Sequence, residues 1–275
     1  MTNRSWGWLV VAFVLALAIC AWWIAAKADP TWVRIQFLVV EAVLIGLCII
    51  AGLMIHCRID GILIDDRNRI SLSRFQWVVW LLLILGSYFT EMIWNISQGA
   101  AFPVIQTQLL ALLGISSGTA VMSNVITENK KSAPPPPALP TQAPVTGGSG
   151  PATRTTISSG PMVAASAPPP PPSTHRAVGS MAANSDPEVA SWRDLFLGDE
   201  EATYRTVDIS RLQKLIITVL LAAVFVTYLW SALSKAAAGA GLAMPTFGDD
   251  SNGFLWLLGI SHGAYLAQKA TPKPA

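Results

Sequence analysis

Long unbroken apolar runs, rather than strict alternation or a single amphipathic stripe, dominate the chain. Residues 6–26, 35–56, 76–94, 103–126 and 215–233 each supply enough apolar side chains to cross a bilayer, which takes about 20 helical residues. A sixth run, 254–267, is shorter and reads either as a span that borrows flanking residues or as a re-entrant segment. The pattern predicts an all-α membrane protein with about six transmembrane helices, since lipid leaves no partner for an unpaired backbone amide. The first run has a competing reading: Arg4 precedes it, and Ala26-Lys27-Ala28 resembles a small-x-small cleavage site. Its length and its Trp22-Trp23-Ile24 ending favour an uncleaved helix over a secretory h-region of about 7–15 residues.

The polar segments divide the runs into five parts: an N-terminal hairpin (1–57), a loop plus helix pair (58–127), a Pro-rich linker (128–186), a short amphipathic element (187–207) and a second helix pair (208–275). The linker carries proline runs at 134–137 and 168–172 among Ala, Ser, Thr and Gly. Such a composition cannot bury enough apolar surface to offset its ordering entropy, so it predicts a disordered insert. It serves as a spacer or as a docking site for a proline-binding cytoplasmic partner. In 187–197, Val189, Trp192, Leu195 and Phe196 fall on one helical stripe, with Asp186 as cap, Pro187 at the first position and Gly198 at the end. This predicts a surface helix lying on the membrane or under the bundle. The acidic Asp199-Glu200-Glu201 that follows reads as a solvated turn, as do Asp65-Asp66 and residues 248–253.

Comparing the chain with itself exposes an internal repeat. Ser73-Arg74-Phe75-Gln76 opens the third run and Ser210-Arg211-Leu212-Gln213 precedes the fifth. Gly114-Ile115-Ser116-Ser117-Gly118 lies in the fourth run and Gly259-Ile260-Ser261-His262-Gly263 in the sixth. Ser-x-x-Gln at a helix start predicts a capping box, with Ser73 and Ser210 as caps, Gln76 and Gln213 reaching back, and Arg74 and Arg211 anchored at the headgroups. Gly114, Ser116 and Gly118, and their counterparts Gly259, Ser261 and Gly263, form GxxxG faces. These predict close packing of the fourth and sixth helices on each other, or on copies of themselves in a homo-oligomer. Both modules start on the same side, so the duplication is parallel.

Charge sets the orientation. Arg4, Arg58, Arg67, Arg69, Arg74, Lys130, Lys131, Arg205, Arg211 and Lys214 fall on one side if every run spans, against Lys27, Arg34 and Lys235 on the other. The positive-inside rule then predicts that both termini are cytoplasmic. Composition agrees with the lipid setting: 52% of residues are hydrophobic and only 12% charged, where a soluble domain has about a quarter charged. Most of the eleven Trp residues, among them Trp22, Trp32, Trp77 and Trp230, fall near run ends as interface anchors. A net charge of +2 offers no nucleic-acid surface. The three cysteines have neither C-x-x-C spacing nor a disulfide framework.

Candidate chemistry is sparse. Glu41 and Glu91 are the acids inside apolar runs, and His262 the histidine inside a candidate span. An intramembrane ionisable group reads as an ion site or proton relay, or alternatively as a group paired near the interface or bonding between helices. There is no phosphate cradle, HExxH motif or nucleophile elbow, so no catalytic, cofactor-binding or metal-binding residue is assigned, and no cofactor. The run from Gly61 through Asp65-Asp66-Arg67-Asn68-Arg69 to Gln76, with Trp192-x-Asp194-Leu195-Phe196 and Val207-Asp208-Ile209-Ser210-Arg211, resembles a group of uncharacterised bacterial polytopic membrane proteins. The resemblance covers most of the chain after the second run and implies a bacterial inner-membrane location, without implying a mechanism. The expectation is a non-enzymatic membrane scaffold or assembly subunit. Its rival is a channel or small transporter with a polar path at the repeat interface.

Overall fold

The computed structural model describes residues 12–16, 18–20, 22–23, 30–132, 175–244 and 252–271, and it is mainly helical. The central part of the Pro-rich insert, 133–174, and most of the first run lie outside the described residues. The described pieces of that run are helical, and the Phe13 ring fills the space beside Gly46 that a Cβ there would enter.

Among the described residues, five helices of continuous extent form the bundle: α1 (Val33–His56), α2 (Leu72–Gln98), α3 (Thr107–Lys131), α4 (Ile209–Ser234) and α5 (Asn252–Ala270). The first four are long and apolar enough to cross a membrane. The fifth takes in flanking residues to reach 19, about 28 Å at the helical rise. Each end has a local cause. Helix α1 stops at Cys57, which turns left-handed at φ 55°. Helix α2 stops at Gly99, at φ 65°, whose amide returns to the Asn95 and Ile96 carbonyls. Helix α4 starts at Asp208, whose carboxylate accepts from the amides of Ser210 and Arg211.

Helix α2 lies at the centre, packed against α1, α3 and α4, while α5 packs against α3 and α4. One apolar core joins Trp80, Ile84, Leu112, Phe225, Leu229 and Leu258 with neighbours on all the helices, and extends towards the end where α2 finishes. The outward faces carry Ile45, Leu110, Val121, Leu220 and Trp256, the surface lipid would cover. Close backbone approach joins α1 to the loop after it: a Cβ on Gly61 would collide with the Gly52 carbonyl.

At the other end, which gathers most of the arginines and lysines and is termed here the basic end, three expectations need correction. The insert is not unstructured throughout 128–186: α3 runs to Lys131, and β1 (His175–Val178) pairs antiparallel with β2 (Met181–Asn184). Gly179-Ser180 is the two-residue turn between them, with Gly179 at φ 60°. Residues 187–197 are not one surface helix but two 3₁₀ turns, Pro187–Val189 and Trp192–Leu195. The cap there is Ser191, which forms a capping box with Asp194, whereas Asp186 makes no side-chain cap. The helical stripe fails because Ala190 is extended and the chain turns between the two pieces; Trp192 meets Phe75 edge-on at 6.2 Å. A second apolar cluster of Leu63, Ile64, Ile70, Leu72, Leu195 and Tyr265 roots this layer in the bundle.

Candidate functional site

The basic end is organised by one carboxylate. In the loop before α2, Asp65 accepts from the backbone amides of Arg67 and Arg69 at 3.0 and 3.2 Å, while Asn68 takes a left-handed conformation at φ 56°. This tight turn directs Arg67 and Arg69 at the 191–208 segment. Arg67 bonds Asp65 at 2.7 Å and Asp199 at 3.0 Å. Asp199 also meets Arg211 of α4 at 3.1 Å and Lys269 of α5 at 3.4 Å. Arg69 donates to the Gly198 carbonyl at 2.7 Å and lies 3.6 Å from Asp194. Lys130 of α3 joins Glu200. Burial alone would push the Asp199 carboxyl up, but the cations Arg211, Arg67, Lys269 and Arg69 hold it well below the usual carboxylate range. Arg67 is likewise held charged: the attraction of Asp199 and Asp65 outweighs the burial that favours its neutral form.

Two corrections follow. Asp199 and Asp65 are not solvated turn residues but buried partners in a network that ties four parts of the chain together. Arg211 does not reach the headgroups: it is buried and donates to the Asp194 and Leu197 carbonyls. Arg74 instead holds the Ile64 carbonyl.

The capping boxes also fail. Ser71 and Asp208 precede the helices, so Ser73 and Ser210 already lie inside the first turn. Gln76 is buried and donates across the bundle to the Lys214 carbonyl at 3.2 Å and to Thr218 of α4. Its counterpart Gln213 is exposed. In α4 the cap is Asp208, whose carboxylate accepts from the early amides of Ser210 and Arg211 and from the Ser210 hydroxyl.

Below the ion network, α3 and α5 meet along a polar seam. Ser116, Thr119, Ser123 and Thr127 recur every three or four residues on α3, all buried. They face Ser261, His262, Tyr265 and Lys269 of α5. Thr119 and His262 Nδ1 are 2.7 Å apart, and Lys269 donates to Ser123 at 2.6 Å. Ser116 and Ser261 therefore do lie between helices. The glycines do not: nothing stands within 4 Å of a Cβ built on Gly114, Gly118, Gly259 or Gly263. The two helices meet through hydroxyls, and the GxxxG faces point outward from the chain.

Glu41, Glu91 and His262 do not converge. Glu41 packs on Gly86, while Glu91 accepts from the Met244 amide at 3.2 Å near the far end of α2. There the stretch from Gly239 to Met244 is stapled to α2, with Asn95 both donating to and accepting from Leu242. Among the described residues no group of three or more His, Cys, Asp or Glu is placed to hold a metal ion. No family model, curated protein or solved structure matches the chain.

Sequence reasoning missed Asp199, Arg67 and Lys269 as one unit because their partners lie far apart in the chain. It missed the hairpin although a Gly-Ser pair between two four-residue runs signalled it.

Proposed function

We propose that the protein is a non-enzymatic membrane scaffold, with six spans, both termini in the cytoplasm and a parallel duplication of the helix pair in 58–127 and 208–275. The concentration of Arg and Lys at the basic end supports a cytoplasmic orientation for it. The observation that carries the scaffold reading is the Asp199 network. Its buried charges join the loop after α1, the segment before α4, and α4 and α5 to one another, so they serve assembly of the chain. Removing one member of such a buried set is costly, which makes it a fastening rather than a surface ornament.

The Pro-rich segment is the part offered outward. Ser180 donates to the Lys130 carbonyl at 3.2 Å, and Gly179 sits against the carbonyls of Lys130 and Lys131. The described residues that flank the segment therefore meet at one point, and on the proposed orientation that point is cytoplasmic, open to a proline-recognising partner.

The test uses the full chain in liposomes. Proton, potassium and chloride fluxes should match those of protein-free vesicles. Protein-dependent flux that disappears in a folded Glu41→Gln, Glu91→Gln, His262→Ala variant would overturn the scaffold reading in favour of a channel. Replacing 138–172 with a Gly/Ser stretch of equal length should abolish co-assembly with the partner while leaving protection of the ion network unchanged.

A further inference from the structure

Between α3, α4 and α5 the buried side chains are polar in the half nearer the basic end and apolar beyond it. From the basic end inward, α3 contributes Thr127, Ser123, Thr119 and Ser116 before Leu112 and Leu109; α4 contributes Arg211, Lys214 and Thr218 before Leu221 and Phe225. Helix α5, running the opposite way, places Lys269, Tyr265, His262 and Ser261 in the polar half and Leu258 beyond them. Trp80, Ile84, Leu112, Phe225 and Leu258 belong to the apolar cluster that continues into the far half.

The polar half is under-satisfied, most sharply at Lys214. Lys214 is 1% exposed, and among the described residues its ammonium has no hydrogen-bond partner; it stands 3.9 Å over the Tyr265 ring. Buried and without a hydrogen-bond partner in the same way are Arg211 Nε, a donor, the Ser73 and Ser116 hydroxyls, which can donate or accept, and two acceptors, Gln76 Oε1 and His262 Nε2. Arg211 and Lys269 share Asp199 with Arg67, and Glu200 and Asp208 line the same small cavity, whereas Lys214 makes no ion pair among the described residues. A buried ammonium without a counter-charge is expensive, and so is each orphaned donor. The Lys214 ammonium, with neither a counter-charge nor a hydrogen-bond acceptor, calls for an anion or water.

There is also a way in. A cleft of about 270 Å³ opens at the basic end between the loop before α2 and α3, lined by Ser71, Arg74, Ser123, Asn124, Thr127 and Lys269, together with the acids Asp65, Asp66 and Glu128. Its inner wall, Ser123 and Lys269, is the outer rung of the hydroxyl seam.

We propose that the polar half of the bundle is a closed-ended aqueous half-channel that admits a small anion from the basic end to Lys214. The Ser123, Thr119 and Ser116 hydroxyls form its wall, and the Trp80–Leu112–Phe225–Leu258 layer stops it from conducting. This goes beyond the scaffold reading and does not rest on it: a site with one mouth binds, and carries no flux.

The experiment replaces Cys20, Cys48 and Cys57 with Ala in the full chain, then introduces Ser123→Cys, Thr119→Cys or Leu112→Cys singly. Sealed membrane vesicles of either orientation are treated with two impermeant thiol reagents of equal size, a sulfonate and a quaternary ammonium. Ser123→Cys and Thr119→Cys should react from one side only, and Leu112→Cys from neither. The sulfonate should react faster than the cation by about tenfold or more, the enrichment that a focused positive potential produces. Lys214→Gln should abolish that preference and Lys214→Arg should keep it, with reactivity at Ser123→Cys showing that both variants fold. The proposal is overturned if Thr119→Cys is unreactive from both sides, or if the anion preference is absent or survives Lys214→Gln.

Discussion

Asp199→Asn is the sharpest probe of how the basic end is held. The substitution keeps the shape and removes the charge that faces Arg67 at 3.0 Å, Arg211 at 3.1 Å and Lys269 at 3.4 Å. Arg67 keeps Asp65 at 2.7 Å, but Arg211 and Lys269 are left buried without their carboxylate. Breaking a buried pair by deleting one member costs about 3–5 kcal/mol, because the remaining charge stays dehydrated and unmatched. At about 1.4 kcal/mol per factor of ten, opening of the 191–208 segment should become at least about 100-fold more frequent. Hydrogen–deuterium exchange on the full chain in nanodiscs reads this directly at the amides that pair there, such as Gly198 to the Thr206 carbonyl and Asp208 to the Phe196 carbonyl. Glu128→Gln is the control: its pair with Lys131 is exposed, and such pairs are worth about 0–1 kcal/mol. An Asp199→Asn effect no larger than that of Glu128→Gln would refute the argument that the network fastens the segment to the bundle.

Three further outcomes follow from the same structure. Asp199 has a native pKa depressed below its unfolded value of about 3.9, so its stabilisation is complete above the unfolded value and is lost only as pH falls through the native one. Cleavage within 191–208 by an acid-active protease should stay slow from pH 7 to about 4 and accelerate only below that. Gly61→Ala should shift the loop after α1 away from Gly52, since its new methyl has no room against a backbone carbonyl; the melting temperature in detergent should fall, where Gly99→Ala at an open turn loses only its left-handed preference, about 1 kcal/mol. Gly118→Ile should leave the monomer fold intact because nothing lies within 4 Å of its Cβ; if a homo-oligomer forms through that face, cross-linking yield in membranes should drop while thermal stability holds.

The apolar runs were legible because lipid removes alternatives: a long stretch of Leu, Val and Ile between charged residues has one low-energy structure. The basic side was legible for a similar reason, through Arg58, Arg67, Arg69 and Arg74. What the residues of that side do was not. Arg211 reads as a headgroup anchor because it stands just before an apolar run, yet its partners are Asp194, Leu197 and Asp199 in a preceding segment. Asp199 reads as a turn residue because it opens a run of three acids after Gly198, and its neutralising cations lie as far away as Arg67 and Lys269. GxxxG invites a packing reading through glycine alone, but on α3 the buried face runs through Ser116, Thr119 and Ser123, so Gly114 and Gly118 are turned away. Hydroxyls at the same helical spacing were the better signal, as they would be orphaned facing lipid.

The closure of the hairpin against the end of α3 has a consequence for the chain as a topological object. Because Ser180 bonds Lys130 and Gly179 sits on Lys131, the covalent path through 133–174 is not what keeps the two helix pairs together. A protein opened there would remain one non-covalent assembly of two fragments, and the length and content of the inserted stretch could drift over generations without the membrane part registering the change.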